Sequence, residues 1–187
     1  MSKHKKRIST VNISTKKGDN GFSSLINGDS LPKYHIYFET LGTLDELNSW
    51  IGLVLVYIDD ELKNEKKILI KIQNYLFKIG AELALAQSIS FDNRLTKEIE
   101  GHNKRLQHNL GDYLSNGFFH PGGTELAAHL DIARTVCRRC ERRLVLLKKE
   151  NNFPNIILQF INRLSDYLFL LRCYVNQSEG YSEIKAK

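Results

Sequence analysis

Arg134, Arg138, Arg139, Arg142 and Arg143 crowd into ten residues together with Glu141. That density points to anion binding, because a planar guanidinium fork matches carboxylate or phosphate oxygens two at a time. At about 100° per residue on a helix, Arg134, Arg138 and Glu141 fall together beside an apolar stripe, while Arg139 and Arg143 point away from it. The outward pair reads as a solvated face. The stripe-edge pair needs an anionic partner, either a carboxylate, with Glu141 and Asp45 as candidates, or a bound phosphate. A second anion-friendly element runs from Thr15 to Ser24, where Gly18 and Gly21 free backbone N–H groups and Lys16, Lys17, Ser23 and Ser24 add donors, with Lys33 just downstream. Neither the Walker spacing nor the Rossmann glycine pattern is present, so on spacing alone this is a weak phosphate loop. Gly122 and Gly123 at a helix start either bind an anion or simply make the turn.

Other chemistries find less support. Cys137 and Cys140 form a C-x-x-C, but inside a strongly helical stretch rather than at a strand-to-helix turn, and Cys173 does not complete a zinc set, so the three cysteines read as small core residues in a reducing compartment. The paired Glu-x-x-His signature of di-iron bundles is missing: Glu98/His102 and Glu125/His129 have the wrong spacing. No protein metal site is expected. The formal charge of +6 owes much to a leader carrying Lys3, Lys5, Lys6 and Arg7, so residues 1–12 read as a flexible basic leader and 180–187 as a flexible tail. No apolar run suits a membrane span, and the leader lacks the look of a secretory signal or transit peptide, which gives a cytoplasmic expectation with no membrane partner.

The elements that must position these residues are helical. A chain of 187 residues with 42% hydrophobic and 26% charged residues suits one globular domain, 1–187. All three prolines and most glycines fall between apolar-periodic segments. The first 42 residues show no sustained period and read as a long binding loop. Thr43 with Glu46 then reads as a capping box opening helix one, carried by Leu44, Leu47, Ile51, Val54 and Ile58. Ile68 to Ala86 gives a second helix, with Gly80 marking a close approach between helices. Leu95 to Leu114 gives a third, Leu126 to Leu147 a fourth, and Ile157 to Leu171 a fifth behind Pro154. Strand-like alternation is nearly absent past residue 42. The fold class is all-α, a five-helix bundle preceded by a long N-terminal substrate-binding loop.

Three segments, Gly42 to Ser49, Ala133 to Arg143 and Asn162 to Phe169, occur in the order and approximate spacing of the PduO-type ATP:cob(I)alamin adenosyltransferases, and the chain resembles that family over most of its length. The resemblance implies a homotrimer with each ATP site between neighbouring subunits. It also implies transfer of the 5′-deoxyadenosyl group of ATP to the cobalt of a reduced cob(I)alamin or corrinoid, giving adenosylcobalamin and triphosphate. By position, Thr15, Lys16, Lys17, Gly18, Ser23, Ser24 and Lys33 would hold ATP from the N-terminal side, and Arg138, Glu141, Arg142 and Asn162 from the bundle side. Arg138 would be the principal triphosphate contact, with Mg²⁺ sharing the charge. Arg134 matches an arginine that pairs across the subunit interface with the aspartate matching Asp45. Phe118 matches the aromatic residue that packs under the corrin and keeps the lower axial ligand off cobalt. The resemblance further implies a cob(II)alamin reductase and an adenosylcobalamin-dependent enzyme as partners.

The sequence departs from the family pattern at Asn27-Gly28, where Gly-Gly is usual, at Ser30, where an arginine is common, and at Phe119-His120, where aliphatics are usual. Ser30 would weaken ATP binding or a subunit contact, and His120 would alter an axial contact or the corrinoid preference. Two other readings remain. One is a corrinoid escort that binds but turns over little. The other is a basic helical module that binds nucleic acid through the leader and the Arg139/Arg143 face, with steep salt dependence; the adenosyltransferase reading expects no nucleic-acid partner.

Overall fold

Apolar residues at helical spacing become five α-helices in the computed structural model, which describes residues 14, 16–84, 89–116 and 119–186. In chain order these are a hairpin of β1 (Phe22–Ser24) and β2 (Ser30–Pro32), then α1 (Ile36–Tyr57), α2 (Lys63–Leu83), α3 (Arg94–Leu110), a 3₁₀ turn (Gly111–Asn116), α4 (Glu125–Leu147) and α5 (Asn155–Ser178). The fold is all-α as expected. The hairpin pairs antiparallel, Phe22 with Pro32, Ser23 with Leu31 and Ser24 with Ser30, and gives the N-terminal loop more order than its composition predicts.

Helix α1 starts at Ile36, about two turns before Thr43. The expected capping box does not form. His35 caps instead, its ring nitrogen accepting from the Tyr37 N–H at 3.4 Å. The Thr40 and Thr43 hydroxyls donate back to the carbonyls of Ile36 and Glu39, at 2.7 and 2.6 Å, which satisfies them inside the helix. Helix α2 ends at Leu83, and Ala86 lies outside the described residues. Gly80 makes no close helix approach within the chain, since a Cβ there would meet open space. Leu114 falls in the 3₁₀ turn, because Gly111 ends α3 with a positive φ of 49°.

The core lies where α4 packs between α1 and α5, with α3 on the far side of α5 and α2 against α1. Leu47, Ile51, Leu130, Cys137, Leu144, Phe160, Leu164 and Leu171 are fully buried there. Each large aliphatic side chain removed from water contributes roughly 1.5–3 kcal/mol. Cys137, Cys140 and Cys173 are free and buried, as their reading as core residues requires, and burial pushes the Cys140 thiol up to about 12.

One buried carboxylate ties α2 to α3 and α5. Glu65 accepts from His102 Nδ1 at 3.0 Å and from the Tyr167 hydroxyl at 2.7 Å, and it pairs with Arg105. Burial pushes its pKa up, but the bonds from His102 and Tyr167 and the charges of His102 and Arg105 outweigh that and hold it below the ordinary value. A carboxylate lowered in the folded state supplies stability above its unfolded pKa and loses it on acidification. Glu65→Gln should therefore flatten the loss of stability between about pH 5 and pH 3 relative to wild type. Denaturant midpoints measured across that range check this, and equal slopes in both proteins would remove Glu65 from the acid limb.

Candidate functional site

The guanidinium groups of α4 divide differently from the helical-wheel expectation. Arg139 pairs with Glu46, and Arg143 with Glu39 at 3.4 Å, so the expected solvated face is instead a ladder between α4 and α1. The earlier start of α1 brings Glu39 within reach of Arg143. These pairs are about 40% exposed and contribute little stability. Arg134 is half-buried and donates to Asp131 at 3.4 Å, one turn back on its own helix. Glu141 accepts not from an arginine but from the Asn162 amide, at 2.9 Å across to α5. Arg138 and Arg142, one turn apart, are exposed, and among the described residues neither has a hydrogen bond or ion pair. Asp45 is likewise exposed and lies beside the α1–α2 groove.

Helices α3, α4 and α5 enclose a cavity of about 520 Å³ lined by Thr96, Glu100, Glu141, Leu158, Gln159, Asn162 and Arg163. A larger cavity of about 840 Å³ opens beside it, with Leu114, Phe119, Phe169 and Leu170 as apolar walls and Glu100, Asn103, Lys104, Gln107, Arg163 and Asp166 as polar groups. That size is typical of a small-molecule pocket. The two cavities share Glu100 and Arg163. Arg163 donates to Asn162 Oδ1 and pairs with Asp166 at 3.5 Å, so one side chain links the Glu141–Asn162 pair to the apolar pocket. Sequence reasoning missed Arg163, Glu100 and Phe169 as lining residues. For Arg163 and Phe169 the signal was present, since both lie within the third family-like segment; Glu100 carried none.

The N-terminal hairpin gathers Lys16, Lys17, Gly18, Ser23, Ser24 and Lys33 on one small, largely exposed unit. The Lys33 N–H donates to the Gly21 carbonyl at 2.9 Å. A Cβ on Gly18 would come 2.9 Å from Lys33 Nζ, so glycine lets that ammonium lie over the turn. The hairpin docks on the end of α2 through the Ile26 N–H and the Ala84 carbonyl, 3.3 Å apart. Among the described residues no hydrogen bond, ion pair or cavity joins it to Arg138, Glu141 or Asn162. Thr15 and Phe118 lie outside the described residues, as does the leader 1–12.

At the start of α4 the Gly122 N–H donates to Asp131 Oδ2 at 2.9 Å and the Thr124 N–H to Asn176 Oδ1 at 3.0 Å, so the chain's own side chains take these two donors. Gly123 has a φ of 118°, and a Cβ there would fall on the Asn176 amide, so the position requires glycine.

A sequence model of the family described as cobalamin adenosyltransferase matches residues 13–175. The chain belongs to that family. Among cobalamin adenosyltransferase relatives, it is 35% identical over 182 residues to the corrinoid adenosyltransferase of Bacillus subtilis (strain 168), covering 94% of this chain and 92% of that one. It is 37% identical over 178 residues to human corrinoid adenosyltransferase MMAB, covering 91% and 71%. A phenylalanine-to-histidine variant of the PduO-type ATP:corrinoid adenosyltransferase from Lactobacillus reuteri, complexed with cobalamin and ATP, superposes with a TM-score of 0.86 at 33% identity, covering 94% of this chain and 97% of that one. An arginine-to-lysine variant of the same enzyme, complexed with ATP, gives 0.84 at 34% identity, covering 94% and 100%. In this cobalamin adenosyltransferase fold, Glu141 and Asn162 line the smaller of two adjoining cavities, and Arg138 and Arg142 flank Glu141 on α4.

Proposed function

We propose that this chain transfers the 5′-deoxyadenosyl group of ATP to the cobalt of a reduced corrinoid. The observation that carries the reading is the pair of uncompensated guanidiniums, Arg138 and Arg142, beside the Glu141–Asn162 bond. The relatives' corrinoid adenosyltransferase names and the ATP and cobalamin complexes of the structural neighbours support the same reaction. In the transfer, the cobalt(I) electron pair forms the Co–C5′ bond while the C5′–O bond breaks, and its electrons leave with triphosphate. Charge therefore builds on the leaving phosphate chain, where Arg138 and the hairpin lysines would stabilise it. Glu141 orients the Asn162 amide, which leaves the other amide hydrogen to hold the nucleotide. Arg142 adds charge at the rim.

Mg²⁺ would enter with the nucleotide, on its phosphate oxygens, and not on the cationic side chains around it. No three His, Cys, Asp or Glu side chains gather among the described residues, whereas Mg²⁺ on a nucleotide takes phosphate oxygens and water. Bound that way, it would neutralise part of the triphosphate charge that Lys16, Lys17, Lys33 and Arg138 share.

The hairpin and the α4–α5 residues do not meet within one chain, which supports a nucleotide site completed by a neighbouring copy. Exposed Ile26 and Phe77, 66% and 68% accessible beside the hairpin, would be covered in the homotrimer that the family resemblance implies. Asp45, in the same groove, would take the partner subunit's matching arginine. The apolar pocket walled by Phe119 and Phe169 would receive the corrin face, with Phe118, next in sequence, excluding the lower axial ligand. None of the helices described is long and apolar enough to cross a membrane. We assign the chain to the cytoplasm, fed by a cob(II)alamin reductase and serving an adenosylcobalamin-dependent enzyme.

The test is anaerobic: protein, ATP, Mg²⁺ and chemically reduced cobalamin, followed by loss of Co(I) absorbance and appearance of a photolabile Co–C product. ATP-dependent product with release of triphosphate is expected. Corrinoid binding without turnover would replace the enzyme with an escort.

A further inference from the structure

Glu183, close behind α5, turns its side chain into the bundle. The Glu183 side chain is 4% exposed and takes four donors: Arg172 Nη1, Arg172 Nη2 at 2.9 Å, the Tyr113 hydroxyl at 2.6 Å and the Asn176 amide at 3.0 Å. Arg172, on α5 and 2% exposed, also donates from Nε to the Asp131 carboxylate at 3.0 Å, and its Nη2 lies 2.8 and 3.0 Å from the carbonyls of His120 and Gly122. Beside this cluster the chain end pairs with the same segment: Phe119 and Lys185 form an antiparallel bridge, and the His120 N–H donates to the Ile184 carbonyl at 2.8 Å. Tyr113, held by Glu183, also packs its ring 5.4 Å from that of Phe119.

Phe119 is a wall of the larger apolar cavity. Its backbone and ring are thus fixed from two sides, by the strap of residues 181–185 and by the 3₁₀ turn, and both supports converge on one carboxylate. A buried carboxylate that gathers this many donors is costly unless it fixes a geometry, because each charge removed from water needs its partners in place. We infer that Glu183 is a positioning residue for corrinoid binding: through Arg172 and Tyr113 it sets the position of the Phe119 wall. It touches no substrate itself. The inference rests on the reading of this cavity as the corrinoid pocket.

The experiment uses the full-length enzyme and steady-state kinetics in each substrate. Glu183→Ala should raise the corrinoid KM about tenfold or more, since small displacements of a positioning wall have large effects. The ATP KM should stay within about twofold, because the nucleotide side is not attached to the strap. Glu183→Gln, which keeps the shape and an accepting oxygen, should fall between Ala and wild type, and Glu179→Ala, a solvent-exposed carboxylate on the same stretch, should behave as wild type. Tyr113→Phe, which removes one donor without creating a cavity, should shift the corrinoid KM in the same direction and guards against simple misfolding of Glu183→Ala. A loss of active protein would lower kcat and leave both KM values alone. Such a result, or equal shifts in both KM values, overturns the inference. If wild type binds no corrinoid in a spectral titration, the pocket assignment falls as well; if wild type binds it and the Glu183 variants bind it equally, only the positioning role falls.

Discussion

Arg138→Ala is expected to lower kcat for adenosyl transfer by roughly 10²–10³-fold, the scale seen when one donor to a developing anion is removed. The charge that develops is on triphosphate as the C5′–O bond breaks, so the loss should appear in kcat and not chiefly in the KM for ATP. Folding should be unaffected, since Arg138 is exposed and has no bond to any described residue whose partner would be stranded. Arg138→Lys keeps a charge but not the fork, and should recover only part of the rate. The neighbouring guanidinium supplies the contrast. Arg139 is committed to Glu46 on α1, and Arg139→Ala should cost no more than about 1 kcal/mol of stability and leave turnover close to wild type. Single-turnover rates with pre-reduced cobalamin, together with circular dichroism of each variant, separate chemistry from folding. Wild-type turnover in Arg138→Ala would remove that residue from the site.

The comparison of these two arginines shows what a sequence can and cannot assign. Five helices were legible because Leu, Ile and Val recur at helical spacing over long segments, and prolines and glycines fall between them. The start of α1 was not. Thr43 and Glu46 have capping-box spacing, yet a threonine hydroxyl satisfied by the carbonyl four residues back is equally content inside a helix, and Glu46 is taken by Arg139. The earlier start also puts Glu39 on α1, where it reaches Arg143, a residue that the helical wheel of α4 alone places on a solvated face. The hairpin escaped notice because strands of three residues are too short to show alternation. The exposed, unpaired state of Arg138 and Arg142 was legible only as one of several possibilities for a crowded arginine helix. The family-like motif singled out Arg138, and of the expected stripe-edge pair it is the one that has no carboxylate among the described residues, Arg134 being paired with Asp131. The Glu183 strap had a weaker signal: an arginine in the apolar run Leu170–Val175 must find buried anions, but nothing in that run says that one of them lies beyond the end of α5.

Arg172→Ala should be the most destabilising single substitution in the bundle apart from large core truncations. It removes the guanidinium shared by Asp131 and Glu183, whose side chains are 8% and 4% exposed. Stranding buried carboxylates in this way costs about 3–5 kcal/mol. For a chain of this length that corresponds to a fall in Tm on the order of 10 °C. In wild type, burial works against the charge of Arg172, but Asp131 and Glu183 more than offset it and hold the guanidinium pKa above its usual value. Without it, the two buried carboxylates lose the one charge they share. A charge-neutral variant distinguishes lost charge pairing from lost packing. Neutralising all three groups, as Arg172→Met with Asp131→Asn and Glu183→Gln, should recover much of the Tm, because the stranded charges and not the missing arginine carry the cost. That triple variant should still bind corrinoid poorly, since the clamp on the His120 and Gly122 carbonyls is gone. Thermal unfolding decides the matter: a loss below about 1 kcal/mol in Arg172→Ala, or no recovery in the triple variant, would mean that the strap is held by packing and that its charges are incidental.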